Sequence, residues 1–599
     1  MCGVYASVST RSFHAPSDAL KQLLCNRGPD HVGEAQARIE VANGSPCWVS
    51  LMSTVLALRG GHVTAQPFLD FFNNSALCWN GEAWKIGLEP VSGNDGQAIF
   101  DMLIKASSDY TATPDSTAAI LRVLQSISGP FAFVYLDKYH NQLYFGRDRL
   151  GRRSLLHKTD GHANLQFSSI ADTVTGPWVE VEADAVYRMS FNEPTAPKHV
   201  NDSNHELPQT PFAAIHKHIW ATEDTGTSDV SIGIFNKAVP VEDFVLNEQS
   251  ESVRALRRHL SESLKLRVLN IPLPPEHQSE NHVRVAVLFS GGLDCTVLAR
   301  MTHDILPLDQ QIDLINVAFE NPRVVKAAKK AALSENSMPT ERRPPEHEQI
   351  QRSPSKSSLP SPYESCPDRE TGRKAFRELQ HVCPDRTWRF VAVNIPYVET
   401  TEHRDRVIQL IHPHNTEMDL SIAYALYFAA RGIGMASTSS NLDLEPEPYR
   451  TPARVLLSGL GADELFGGYT RHATAFNRTG FPGLVDELKL DVDRLGKRNL
   501  GRDDRVISHW AREARFPFLD EALVKWAVEC PVWQKCGFQT HDQSSRQESI
   551  LEPGKKILRL LAYELGMYSV ATEKKRAIQF GARTAKMEVG RTKGTTLIS

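Results

Sequence analysis

The sequence predicts an α/β protein in more than one part: a β-rich N-terminal layer, then a doubly wound domain built on a parallel sheet. Three observations lead there. At 599 residues the chain is too long for one ordinary core. Its first ~190 residues carry short apolar alternations such as PCWVSLMSTVLAL, FAFVYLD and QLYFGRD, broken by Gly, Asn and Asp turns. From VRVAVLFSGG onward, strand-like apolar runs alternate with helical patterns, which is the signature of parallel β-α-β units.

Taken in order, residues 2–190 form the β-rich domain, with one helix expected in DGQAIFDMLIKA, where apolar residues recur at helical spacing. Residues 191–281 read as a linker holding one amphipathic helix, SVRALRRHLSESLKLRVLNI, ended by Pro272. Residues 282–590 form the doubly wound domain, with strands at VAVLF, DLINVAF, WRFVAVNI and RVLLSG and a helix at DLSIAYALYFAARGIG. A stretch rich in Pro, Ser, Glu, Lys and Arg, about 321–368, is too poor in apolar surface to order itself and is expected to be a disordered insertion. The terminal RTKGTTLIS reads as a frayed tail.

Bulk composition narrows the function classes. A hydrophobic fraction of 41% and a charged fraction of 23% are those of a soluble globular chain. The net charge of -4 argues against a nucleic-acid partner. No apolar run reaches the ~18 residues of a membrane span, and the N-terminus lacks the pattern of a secretory signal. Nine cysteines without framework spacing point to free thiols and a cytoplasmic location.

The most informative short string is SGGLDC. A strand ending in Ser290-Gly291-Gly292 and running straight into a helix leaves bare amides at the helix N-terminus, where donors and dipole both favour phosphate. The glycines permit close backbone approach, Ser290 adds a hydroxyl, and Asp294 is placed to hold Mg²⁺. By itself, Gly-Gly after a strand is as often only a turn. A second string, LLSGLGADELFGGYTRH, repeats the logic with Ser458-Gly459 followed by Asp463 and Glu464. Two carboxylates beside a phosphate site call for a divalent cation, so Asp294 and Asp463 are the candidate ligands of one shared Mg²⁺; the plainer alternative is an acidic helix start. SGGLDC resembles the SGGxDS pyrophosphate loop of ATP pyrophosphatases, with Cys295 in place of the last serine and a weaker donor there.

Together with FGRDRLGRRSLL, RNLGRDDRVI, EARFPFLDE and KRAIQFGAR, these strings make the chain resemble the glutamine-dependent asparagine synthetases. The resemblance implies a class II glutamine amidotransferase domain, an N-terminal-nucleophile αββα sandwich, followed by a pyrophosphate-loop synthetase domain. It implies that Cys2, exposed by loss of Met1, is the nucleophile, activated by its own α-amine. It further implies Arg59 on the glutamine α-carboxylate, Asn80 and Gly81 as the oxyanion hole, and Glu82 and Asp95 on the substrate ammonium. Asn80-Gly81 alone would more simply be a hairpin turn. The RGPD run, Arg27 to Asp30, would support the site. In the second half, the resemblance implies ATP contacts at Leu288, Ser290, Gly291, Gly292, Asp294, Cys295, Val317, Ser458, Gly459 and Lys575.

The implied reaction activates the aspartate side chain with ATP and Mg²⁺ as aspartyl-AMP, which ammonia from glutamine converts to asparagine. Two departures bear on it. Leu460 stands where the family has an acid-base glutamate, and Asp419 where it has an arginine near the substrate. They favour a nucleotide-binding regulatory protein of impaired turnover, while an amidotransferase for another carboxylic acid is compatible with these residues and with the intact glutaminase set. Relatives that dimerise through the glutaminase half leave a homodimer open, although no interface pattern is visible in this sequence.

Overall fold

The computed structural model describes residues 2–41, 46–72, 74–108, 116–160, 164–173, 176–193, 210, 212–220, 232–241, 244–273, 283–336, 361–438, 445–539, 551–587 and 593–598. Its N-terminal half is two six-stranded antiparallel sheets laid face to face. One runs Val179–Glu180, Leu156–Thr159, Leu165–Ser168, Gly3–Ser9, Cys47–Val55, His31–Ile39; the other runs Ala214–Ile219, Ala185–Ser190, Gln142–Arg147, Phe131–Asp137, Ala76–Gly81, Phe68–Leu69. Strand alternation sorts the side chains. Val4, Ala6 and Val8 meet Ala132, Val134 and Leu136 between the sheets. Phe133 and Tyr135, pointing the other way, pack with Ile99, Phe100 and Leu103 of helix Asp95–Ser108 and with Ile120 and Leu124 of helix Ser116–Gln125. Helix Asp18–Arg27 covers the first sheet, completing the expected αββα layering.

The C-terminal half holds a seven-stranded sheet in the order Glu447–Arg450, Ile433–Thr438, Trp388–Ile395, Ile312–Phe319, Val285–Leu288, Val455–Leu457, Glu513–Arg515. The last five are parallel, as expected; Ile433–Thr438 and Glu447–Arg450 add an antiparallel hairpin at one edge. Val285–Leu288 comes first in the chain yet lies inside the sheet, with Ile312–Phe319 on one side and Val455–Leu457 on the other. Strand order reverses there, and the crevice at the C-terminal ends of these strands is where open α/β sheets bind ligands.

Several expected boundaries shift. Ala214–Ile219 lies inside the expected linker but pairs with Ala185–Ser190 over its whole length, extending the N-terminal sheet. The amphipathic helix, Glu251–Val268, ends before Pro272 and buries Leu256, Leu260 and Leu264 in the core of the C-terminal half, so it belongs to that domain. Residues 322–336 of the expected disordered insertion form helix Pro322–Asn336, and its last residues begin helix Pro367–Val382, whose face buries Ala375, Phe376 and Leu379. Residues 337–360 lie outside the described residues. The tail is tied down rather than frayed at 593–598: Glu417 N donates to Thr596 O and Ile598 N to Asn415 O, at 2.9 and 2.7 Å. No helix among the described residues is long and apolar enough to cross a membrane.

Candidate functional site

Cys2 precedes the central strand Gly3–Ser9 and is 7% exposed. Its main-chain nitrogen donates to Asn80 Oδ1 at 3.0 Å, and Asn80, itself fully buried, keeps its Nδ2 without a hydrogen-bond partner. An unpaired buried amide donor costs free energy in the resting protein and is available to a developing negative charge. Gly81 pairs with Phe131 across the strand, where a Cβ would sit 2.6 Å from Pro130 O, so only glycine fits. Gln66 Nε2 lies 3.7 Å from the Cys2 sulfur and Gln66 Oε1 accepts from Trp79 N at 3.0 Å, a contact no local sequence signal announced. Burial pushes the Cys2 thiol above its ordinary value.

Arg59, Glu82 and Asp95 all line the same cavity of about 30 Å³ with Cys2. Arg59 Nε and Glu82 Oε2 face each other at 3.2 Å without hydrogen-bond geometry, and Arg59 Nη2 donates to Ala83 O at 2.7 Å. The two side chains expected to take opposite ends of one amino acid therefore face each other across the cavity lining. Asp95 Oδ2 accepts from Ala83 N and Trp79 Nε1 at 2.8 and 3.1 Å. Burial, with Glu513 behind it, pushes Glu82 up to about 8 despite Arg515 and Arg59. Glu513 keeps its charge at about 2, because Arg515 and Arg153 outweigh its own burial. Of the RGPD run, Arg27 donates from Nε to Cys2 O at 3.3 Å and pairs with Asp504 at 2.8 Å, while Asp30 accepts from Ala57 N and pairs with Arg454.

The second cavity, about 390 Å³, opens at the strand-order reversal. Leu288, Ser290, Gly292, Asp294, Cys295, Val317, Ser458, Gly459, Asp463 and Lys575 all line it. Gly291 does not; at φ +79° its Cβ position lies 2.4 Å from Gly372 N, so it serves the packing of the turn on helix Pro367–Val382. A Cβ on Gly459 would come within 2.8 Å of Asp294 Cβ, which is how the two turns approach so closely. Cys295 Sγ lies 3.3 Å from Gly292 O and 3.6 Å from Ser290 Oγ.

Between the two carboxylates stands a group the sequence reading missed. Lys555 Nζ is 2.8 and 2.9 Å from the oxygens of Asp294 and 2.9 Å from Asp463 Oδ1, and Lys575 also pairs with Asp463. Burial pushes Asp463 up, but both lysines outweigh it and hold it well below the usual carboxylate range. Burial wins at Asp294, which is raised, with Asp463 adding to the shift. The pair of hard carboxylate oxygens beside two phosphate-type turns suits Mg²⁺, which takes one or two carboxylates plus phosphates. Among the described residues no larger cluster of metal-ligating side chains occurs.

Leu460 lines this cavity next to Ser458, an apolar wall where proton transfer was in question. Asp419 does not line it: Arg502 Nη1 holds its Oδ1 at 2.7 Å and Thr416 Oγ1 its Oδ2 at 2.5 Å. The charge reversal expected at the substrate is therefore spent on Arg502, which itself reaches the cavity wall.

The glutamine amidotransferase domain model matches residues 116–223 and the asparagine synthase model residues 446–486 and 482–593. The chain is 34% identical to asparagine synthetase domain-containing protein 1 of Bos taurus, over 98% of this chain and 96% of that protein. It is 32% identical to the Homo sapiens protein of the same name, over 98% and 96%. A putative glutamine-hydrolyzing asparagine synthetase of Methanocaldococcus jannaschii is 36% identical over 22% of this chain and 28% of its own length.

Proposed function

Because the chain belongs to the asparagine synthetase domain-containing protein 1 family, we propose that it hydrolyses glutamine in its N-terminal half and spends the ammonia in an ATP-dependent amidation in its C-terminal half. Aspartate is the acceptor and asparagine the product. The observation that carries this reading is the Cys2 nitrogen held on Asn80 Oδ1 while Asn80 Nδ2 stays buried and unpaired.

With Met1 removed, that nitrogen is a free amine and the base for the neighbouring thiol. The sulfur attacks the glutamine amide carbon, the thiol proton passes through the amine to the leaving nitrogen, and ammonia departs. Asn80 Nδ2 and the Gly81 amide stabilise the tetrahedral oxyanion. Water then splits the thioester to glutamate. Arg59 releases Ala83 O to take the substrate carboxylate, and Glu82 and Asp95 take its ammonium.

In the larger cavity, the turns at Ser290–Cys295 and Ser458–Gly459 receive the phosphates of ATP, with Leu288 and Val317 against the base. Lys555 and Lys575 hold positive charge where pyrophosphate leaves. Mg²⁺, held by Asp294 and Asp463, would neutralise phosphate charge. Nine cysteines, all free of disulfides, support a cytoplasmic setting.

Leu460 supports a second reading, in which nucleotide is bound but aspartate turnover is impaired or another carboxylic acid is amidated. One assay separates them: purified protein with glutamine, ATP, Mg²⁺ and aspartate, following glutamate, pyrophosphate and asparagine separately. Glutamate and pyrophosphate together with asparagine support the first reading. Pyrophosphate that responds to a different acid, or none at all, replaces it with the second. Intact-mass measurement of the native chain tests the premise, since a retained Met1 or an acetyl cap would remove the base.

A further inference from the structure

Arg515 bridges the walls of the two cavities, its side chain on one and its backbone on the other. Its guanidinium is buried, with Nη2 3.2 Å from Glu82 Oε1, Nε 2.6 Å from Glu513 Oε1 and Nη1 donating to Arg267 O at 2.5 Å. Its main-chain oxygen accepts from Ser458 N at 2.9 Å, and its strand pairs Arg515 with Leu457. So the side chain grips a carboxylate that lines the cavity around Cys2, while the backbone holds the first residue of the second phosphate turn. A second link runs beside it. The Trp84 ring lies 5.4 Å from the Arg59 guanidinium and 4.9 Å from that of Arg515, so the arginine that lines the small cavity and the one that braces the phosphate turn share a single indole.

We propose that Arg515 is a positioning residue that couples the two cavities, so that an α-amino acid bound beside Cys2 tightens nucleotide binding at the Ser458 turn. The Arg59–Glu82 contact lacks hydrogen-bond geometry and is the weak joint. An α-carboxylate draws Arg59 away, Glu82 loses one of its two guanidinium partners, and its carboxyl group is left to the Arg515 fork alone. The strand Glu513–Arg515 is then held more firmly, and with it the Ser458–Gly459 turn, which is pinned to that strand through Ser458 N on Arg515 O. Linkage makes the effect reciprocal: nucleotide must raise amino-acid affinity by the same factor. The inference rests on the amidotransferase reading of the Cys2 cavity.

The test uses the full chain carrying Cys2→Ala, which cannot turn glutamine over. Calorimetric titration with a non-hydrolysable ATP analogue, with and without saturating glutamine, is expected to show an affinity gain of about fivefold or more. Adding Arg515→Lys, which keeps the charge but loses the fork, is expected to leave the nucleotide affinity measured alone and abolish the gain. A gain that survives Arg515→Lys overturns the role given to Arg515. Two ligands that bind with no mutual effect overturn the coupling while sparing the amidotransferase reading. Glutamine that does not bind at all overturns both. Should Arg515→Lys fail to fold, hydrogen exchange in the Cys2→Ala protein decides: glutamine is expected to slow exchange across residues 455–460, and an unchanged rate refutes the relay.

Discussion

Lys555→Met removes the ammonium that stands between Asp294 and Asp463 and leaves a side chain of similar reach. At the observed 2.8–2.9 Å, each lysine–carboxylate contact is worth about 6 kcal/mol of attraction at an effective dielectric of ~20, before desolvation is subtracted. Deleting one partner of a buried ion network strands the other charges, which costs about 3–5 kcal/mol. For a unit the size of the C-terminal half, that is a fall in Tm of roughly 6–10 °C, at about 2 °C per kcal/mol. The stranded carboxylates also have two remedies the wild type does not need. One is a proton, so the variant regains stability as pH falls from 7.5 toward 5.5. The other is a divalent cation, so millimolar Mg²⁺ without nucleotide raises its Tm while leaving the wild type unmoved. Scanning calorimetry across pH and Mg²⁺ reads all three effects. A variant that melts within about 2 °C of wild type, and ignores both proton and magnesium, refutes the convergence of the two carboxylates.

Three further outcomes follow from particular groups. Cys2→Ala is expected to abolish glutamine hydrolysis while ammonia still supports pyrophosphate release; residual hydrolysis at the wild-type rate removes the thiol from the mechanism. His157 is 7% exposed, and its burial depresses it to about 4 from 6.5. The unfolded chain binds that proton first, so stability present above pH 6.5 is lost as pH falls toward 4, by about 3 kcal/mol in all. His157→Phe is expected to flatten that part of an acid-unfolding curve, and an unaltered slope counts against the assignment. Leu460→Glu places a carboxylate on the apolar wall of the larger cavity and is expected to raise aspartate-dependent asparagine formation by about 10²-fold. If asparagine formation is unmoved while nucleotide still binds, aspartate is not the acceptor.

Legibility in the sequence followed local physics. FAFVYLD and QLYFGRD announced strands, and SGGLDC announced a turn into a helix, because period and turn chemistry are short-range. Ala214–Ile219 escaped notice because two histidines and a lysine interrupt its pattern on an edge strand, and Ile433–Thr438 because glycine, alanine and serine dilute it. Lys555 was missed for a different reason. A Lys-Lys pair after Pro-Gly reads as solvated surface, and only the fold shows that one ammonium is swallowed between carboxylates 261 and 92 positions away while its neighbour Lys556 is not. Likewise Arg59 and Glu82 were each legible as amino-acid contacts, but nothing local says that they contact each other.

The strings that carried the family resemblance turn out to meet one another. From FGRDRLGRRSLL, Arg152 donates to Leu519 O and pairs with Glu521, Arg153 pairs with Glu513, and Arg147 reaches Gly496 O. From RNLGRDDRVI, Asp504 takes Arg27 and the amide of Ser154, and Arg505 pairs with Glu180. EARFPFLDE supplies Glu513, Arg515 and, at its end, Glu521. These runs form the seam between the two halves, and RNLGRDDRVI also lends Arg498, Asn499, Arg502 and Asp503 to the wall of the larger cavity. Buried pairs of this kind add little stability over an apolar seam of the same shape, since desolvation offsets most of the attraction. What they add is register: an arginine fork misplaced by one residue leaves a buried charge stranded, at several kcal/mol. Two domains packed on an oily face could slide, but two domains pinned through Arg27, Arg152, Arg153 and Arg505 cannot. The proposed transfer of ammonia between the two halves would need that fixed alignment more than extra stability.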